Sequence, residues 1–230
     1  MIILIKNNLI WIYALFKIYL ISKNLTKIRV NNSNVFILIS SWYGTFIPIY
    51  AVYMSLLLKY KYSKNITYII QDIDLDDKKL NPFYLYIIIF KFLLNKFGDV
   101  ISTSRFRDVV DMNKVPESIH RYAHIDFVHD CKSEYSHFNI KKYKNYSNKL
   151  NIINNAYESI LSNVDRIDFI LVPGGISLST GLLKEACDRR NFRFASFDSG
   201  QMGEFLLSVN GVACYLDDAC LCYKKVMNDI

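Results

Sequence analysis

Glycine and proline are scarce in this chain, eight and four among 230 residues. That scarcity excludes collagen-like and Pro/Gly-rich low-complexity architectures. It also makes each glycine worth reading, because a sparse glycine usually stands where the backbone needs one. Cysteine is sparse too. Cys131, Cys187, Cys214, Cys220 and Cys222 are odd in number and show no zinc-knuckle spacing. A disulfide framework is therefore not expected, and a reducing cytoplasm fits. Long hydrophobic runs are missing at the N-terminus. Lys6, Asn7, Asn8 and Lys17 interrupt Met1 to Ile21, and the longest apolar run there, Leu9 to Phe16, has eight residues. A spanning helix needs about 20. A basic start and a small-residue cleavage site are also missing, which argues against a signal peptide. There is no G-x-G-x-x-G or P-loop sequence, no H-E-x-x-H and no G-x-S-x-G elbow.

What is present is globular in composition, with 52% hydrophobic residues. The net charge is +7 and the isoelectric point about 9.0. A basic surface can attract nucleic acid, anionic lipid or phosphorylated molecules. The chain is rich in Ile, Asn, Lys and Tyr, whose codons are A/T-rich, so base composition accounts for much of the lysine. No Arg-rich stripe or nucleic-acid motif is found, and no nucleic-acid partner is expected. Residues 1–33 are expected to form an apolar, aromatic helix. It either packs on the domain or makes a peripheral membrane contact through Trp11, Tyr13, Phe16 and Tyr19. Residues 34–230 are expected to form one domain.

Along that domain, strands and helices alternate. Val35–Ser41 is a short apolar run flanked by polar residues, the pattern of a buried parallel strand. Apolar residues at helical spacing fill Phe46–Tyr60, with Pro48 in the first turn, where proline is tolerated. Ile66–Ile70 is a second strand, which completes a βαβ unit. Pro82–Phe97 is an apolar helix ended by Gly98, and Asp99–Ser102 a short strand. Residues 103–144 hold all four histidines and little clean periodicity, so short helices and long loops are expected. Asn145–Asn163 is helical, Asp168–Val172 a strand, Ser177–Arg190 a helix and Phe192–Phe197 a strand. Glu204–Val209 is extended, Asn210-Gly211 a turn and Val212–Asn228 a last helix. The expected fold class is α/β: a single Rossmann-like domain, a mostly parallel sheet with helices on both faces, plus the N-terminal helix.

In an open parallel sheet ligands bind beyond the carboxyl ends of the strands. Four such ends are small, polar or glycine-containing: Ser40-Ser41-Trp42-Tyr43-Gly44, Gln71-Asp72-Ile73-Asp74, Pro173-Gly174-Gly175-Ile176-Ser177 and Asp198-Ser199-Gly200. Gly174 and Gly175 let the backbone turn and approach a ligand, and the helix that follows points its positive end at the same place. Ser177 or Ser179 could cap that helix. The plainer reading is a strand-to-helix turn. Asp198 could take a proton from a hydroxyl or hold it; alternatively it closes an Asx turn on Gly200. Asp72 and Asp74 lack the further acid a metal site wants, and no metal is expected. His120 and His124 are four apart, on one face of any helix there. His124 is the candidate base of that region, although solvent-facing histidines are the plainer reading.

Two stretches carry a resemblance. Ser41-Trp42-Tyr43-Gly44-Thr45-Phe46-Ile47-Pro48 is followed by a helix and a strand ending in acids. Later come Val172-Pro173-Gly174-Gly175, a helix, Phe197-Asp198-Ser199-Gly200, and Ser208-Val209-Asn210-Gly211-Val212-Ala213. The order resembles the N-terminal, acceptor-side domain of bacterial GT-B glycosyltransferases of the capsular and exopolysaccharide type, over about residues 35–218. The resemblance implies sugar transfer in cell-surface polysaccharide synthesis, with a saccharide acceptor. Gly44 and its neighbours Ser41, Trp42 and Tyr43 would line the cleft floor. Gly174, Gly175, Asp198, Ser199 and Gly200 would line the acceptor side, with Asp72, Ser177 and Asn210 as further substrate-binding candidates and Asp198 or His124 as base. It implies no cofactor, only a nucleotide-sugar donor held by a second domain. Ile230 falls where that domain would begin, so a partner subunit or missing sequence is expected to supply it. The other reading is an inactive carbohydrate-binding or scaffold subunit. The implied place is the cytoplasm, at the inner face of the membrane.

Overall fold

The structure, a computed structural model, describes residues 13, 14, 16–20, 23, 34–40, 47–72, 82–106, 116–131, 140–164, 166–174, 178–199, 205–209 and 211–213. Six strands, β1 (Asn34–Ile39), β2 (Asn65–Ile70), β3 (Asp99–Ser102), β4 (Phe169–Pro173), β5 (Phe194–Ser199) and β6 (Phe205–Ser208), form one sheet in the order β3-β2-β1-β4-β5-β6. The first five are mutually parallel, and β6 closes one edge antiparallel to β5. The helices are α1 (Ile47–Tyr62), α2 (Pro82–Leu94), α3 (Glu117–Cys131), α4 (Ile140–Ser162) and α5 (Leu178–Arg189), with a 3-10 turn at Thr103–Phe106.

The strands read as unbroken apolar runs because both their faces are covered. Alternate side chains enter different cores. Val35, Ile37 and Ile39 of β1 pack with Val52 of α1 and Phe90 of α2. Phe36 and Leu38 pack with Ala123 of α3, Tyr157 of α4 and Leu182 of α5. The protein is thus α/β, with helices on both faces of a mostly parallel sheet. The strand order reverses between β1 and β4, the place where doubly wound sheets open a crevice at the carboxyl edge.

The stretch expected to be irregular is more regular than its sequence suggests. Ile119, Tyr122, Ala123 and Phe127 are all buried and share one face of α3. The intervening His, Arg and Asp residues mask that stripe. For the same reason α4 starts at Ile140, five residues before the expected point. Of the N-terminal segment, Ile18 is buried in the α1/α2 core, with Ala14 and Tyr19 against it. The expected last helix lies outside the described residues beyond Ala213. Among the described residues no helix is long and apolar enough to cross a membrane.

Candidate functional site at the carboxyl edge

One row of residues crosses the carboxyl edge of the sheet. The pairs Ile39↔Ile70, Ile70↔Ser102, Ile37↔Leu171 and Pro173↔Phe197 fix the register of the strand ends. One residue further on, Thr103, Gln71, Ser40, Gly174 and Asp198 stand level with one another. Two backbone bonds extend the ladder to this row: Gln71 N–H donates to Ile39 O at 3.0 Å, and Gly174 N–H to Phe197 O at 2.8 Å. By alternation the row faces α4 and α5, since Leu38, Ile69 and Val172, two residues earlier, lie in that core. Ser40 and Gly174 occupy the two strands that flank the reversal of order.

The helices above the row add polar groups. Ser179, in the first turn of α5, donates to Gln71 Oε1 at 2.6 Å, and Tyr157 of α4 donates to the same oxygen at 3.5 Å. On α4, Asn154 and Asn151 lie three and six residues before Tyr157, about 5 and 9 Å along the axis. Both are buried. α4 also packs on the Thr103–Phe106 turn. Most of these groups find partners. Ser40 Oγ and both amide atoms of Asn151 are buried without a hydrogen-bond partner among the described residues. Leaving such a group unsatisfied costs about 1–3 kcal/mol, and in native proteins it calls for a reason.

Gly174 has φ 66°, a left-handed conformation that an L side chain resists. The turn carries the chain from β4 towards α5, whose first turn contains no acidic residue. The helix therefore presents its positive end next to Gln71 and Ser179.

Asp72, one residue beyond the row, is engaged inside the fold. Its Oδ2 accepts from Lys91 Nζ, from Ser102 Oγ at 2.5 Å and from Ser104 Oγ at 2.9 Å. Its Oδ1 accepts from Ser104 N–H at 2.9 Å and from Thr103 Oγ1 at 3.2 Å. Burial pushes the carboxyl's pKa up, but the Lys91, Ser102 and Ser104 hydrogen bonds outweigh it and hold the group below its ordinary value. The arrangement is a clasp joining β2, β3 and α2.

The other expected site residues are placed as follows. Asp198 is half-buried on β5, level with Gly174 and opposite Leu206 of β6. Ser199 follows it on the strand. His124 is exposed on α3, and its neighbour His120 is also exposed, with Nδ1 3.2 Å from Tyr143 Oη. Ser41, Trp42, Tyr43, Gly44, Gly175, Ser177, Gly200 and Asn210 lie outside the described residues. Among the described residues no group of three or more His, Cys, Asp or Glu could hold a metal ion.

Sequence reading named Gln71 only within a polar strand end, passed over Thr103, Tyr157, Asn151 and Asn154 as site residues, and took Ser179 only as a helix cap. One signal was available. Asn151 and Asn154 are three apart and accompany the apolar stripe Leu150, Ile153 and Tyr157, so a helix that buries the stripe buries them too.

No protein family matches the chain, and no curated protein does. Among solved structures, one similar chain is described as the structure of a CDPS (cyclodipeptide synthase) from Fluoribacter dumoffii. It is 13% identical, and the match covers 73% of this chain and 90% of that one at a TM-score of 0.46. The finding runs against the expectation of a polysaccharide glycosyltransferase domain, whether active or reduced to a carbohydrate-binding or scaffold subunit, and that expectation falls. A likeness this distant does not bring the synthase's activity to this chain.

Proposed function

We propose that the chain is a small-molecule-binding α/β domain whose ligand lies across the β1/β4 reversal and presents an anionic group, a phosphate above all, to the start of α5. The observation that carries this reading is Ser40. Ser40 is 2% exposed, and its hydroxyl has no hydrogen-bond partner among the described residues, on the strand end that borders the reversal. Gln71 and Ser179 supply polar groups next to it, Gly174 allows close backbone approach, and the α5 N-terminus favours negative charge. Asp198 closes the row on the β5 side and would face the uncharged part of the ligand, since a carboxylate repels an anion.

The test is a thermal-shift panel of phosphate, pyrophosphate, nucleoside monophosphates and diphosphates, with the uncharged nucleosides as controls. A ligand at 100 times its dissociation constant adds about 2.7 kcal/mol. Stabilisation by phosphorylated compounds and not by nucleosides is expected. Equal stabilisation by both, or by neither, would sink the proposal.

A further inference from the structure

The acidic residues are distributed very unevenly. Residues 1–71 contain eight of the 28 Lys and Arg and none of the 21 Asp and Glu, which leaves 20 basic against 21 acidic residues in the rest. The excess positive charge of the protein therefore lies in this first third, which supplies α1 and part of the core beneath α1 and α2. α2 adds Lys91 and no acid.

The outer surface of that layer is apolar as well as basic. Tyr53 and Leu57 of α1 are four residues apart and about half exposed, and so are Ile88 and Phe92 of α2. Lys59 of α1 donates to Phe97 O, just beyond α2, and ties α1 to the α2–β3 connection. Tyr13, Phe16 and Leu20 are exposed in the N-terminal segment that packs on the same core. Lysines accompany the rings: Lys96 Nζ lies 5.0 Å from the centre of Phe92, Lys61 5.6 Å from Tyr62 and Lys17 4.8 Å from Tyr13. On the opposite layer the surface is laced with ion pairs of both signs, such as Arg121–Glu185 and Arg189–Glu158.

Aromatic and aliphatic side chains at helical spacing, flanked by lysines on two helices that themselves carry no acid, form the kind of surface that an anionic bilayer attracts. The rings and aliphatic groups enter the headgroup boundary while the lysines reach the phosphates. We propose that the outer face of α1 and α2, with Tyr13, Phe16 and Leu20 of the N-terminal segment, docks on a bilayer that contains anionic lipid. The charge asymmetry commits the face to lipid, because a second copy of the chain would bring like charge to like. The proposal does not depend on the ligand site, whose polar row faces the other layer.

The test is co-sedimentation of the full chain with vesicles of phosphatidylcholine alone and of phosphatidylcholine mixed with phosphatidylglycerol. Two variants accompany it, Lys61→Ala/Lys96→Ala and Leu57→Ser/Phe92→Ser, all at exposed positions. Each lysine near an anionic surface is worth roughly fivefold in partitioning, so the lysine pair should lose about 30-fold on mixed vesicles. The apolar pair should weaken what binding remains on both vesicle types. The proposal is overturned if the wild type stays in solution with mixed vesicles, or if both variants bind as the wild type does. It is also overturned if sedimentation velocity reveals a dimer that Leu57→Ser/Phe92→Ser dissociates.

Discussion

The two helical layers bury the same sheet and differ in where they keep their polar groups. In the α1/α2 layer most polar contacts are internal, with the Lys64–Asp168 pair at 2.7 Å partly exposed beside α1. Asp72 is clasped by Lys91, Ser102 and Ser104, Tyr68 meets Ser55 at 2.5 Å, and Lys59 reaches Phe97 O. Its outside is apolar and basic. In the α3–α5 layer the ion pairs are outside, where Arg121, Lys184, Arg189 and Arg190 meet Glu158, Glu185 and Asp188. Its inside holds Ser40 and Asn151, which with Ser208 of β6 have buried polar atoms without a partner among the described residues. Burial requires neither arrangement, since apolar side chains fill both cores. The difference therefore points to what each layer meets: a surface on one side, a ligand at the sheet edge on the other.

The comparison breaks most sharply at Gly98. A Cβ added there would lie 2.2 Å from Ile66 O, a backbone atom of β2 that cannot swing away. Gly98→Ala should destabilise by about 3 kcal/mol, read as a lowered urea midpoint. A change under about 1 kcal/mol would mean that the α2–β3 connection is not held against β2.

Asp72→Asn comes next, at about 2 kcal/mol, because it leaves Lys91 without its counter-charge and Ser102 and Ser104 with weaker acceptors. The sign of its pH dependence follows from the direction of the shift. Asp72 titrates lower in the fold than its ordinary 3.8. Its contribution is therefore complete above 3.8 and is lost as pH falls through 3.8 towards the lower folded value. The wild type should lose stability over that window more steeply than the variant. Parallel acid limbs would place the carboxylate's worth elsewhere.

The smallest effect belongs to the outer surface of the other layer. Arg189→Ala removes one of two arginines on Glu158 and a longer contact, 3.8 Å, with Glu185. With Arg189 about half exposed, the loss should be about 0.5 kcal/mol and should shrink in high salt. A loss several times larger, insensitive to salt, would make the ion-pair lattice structural.

The buried strands were plainly legible. The runs at β1, β2 and β4 leave no other economical reading, because five or six apolar residues between polar flanks suit a strand covered on both faces. α3 was not legible, since its buried stripe is made of an Ile, a Tyr, an Ala and a Phe among histidines and charges. The strand-end loops announced the edge on which to look for a site. They could not show which polar groups at that edge are satisfied. Gln71 takes Ser179 as partner because α5 folds back over β2's end, and Ser40 has none among the described residues. Asp72 looked like a ligand contact by position, and five donors from β3, α2 and the Thr103–Phe106 turn hold it within the fold. Such facts follow from packing between distant segments, which composition and periodicity do not encode.

The central claim is that Ser40 is unpartnered because it serves a ligand. The most direct measurement sets stability against affinity in Ser40→Ala, by urea unfolding and by calorimetric titration of the phosphorylated compound that stabilises the wild type most. Removing an unsatisfied buried hydroxyl should leave stability unchanged or raise it by about 1 kcal/mol. Removing a ligand's hydrogen-bond partner should weaken binding about tenfold. Lower stability with unchanged affinity would contradict the account and return Ser40 to the structural core.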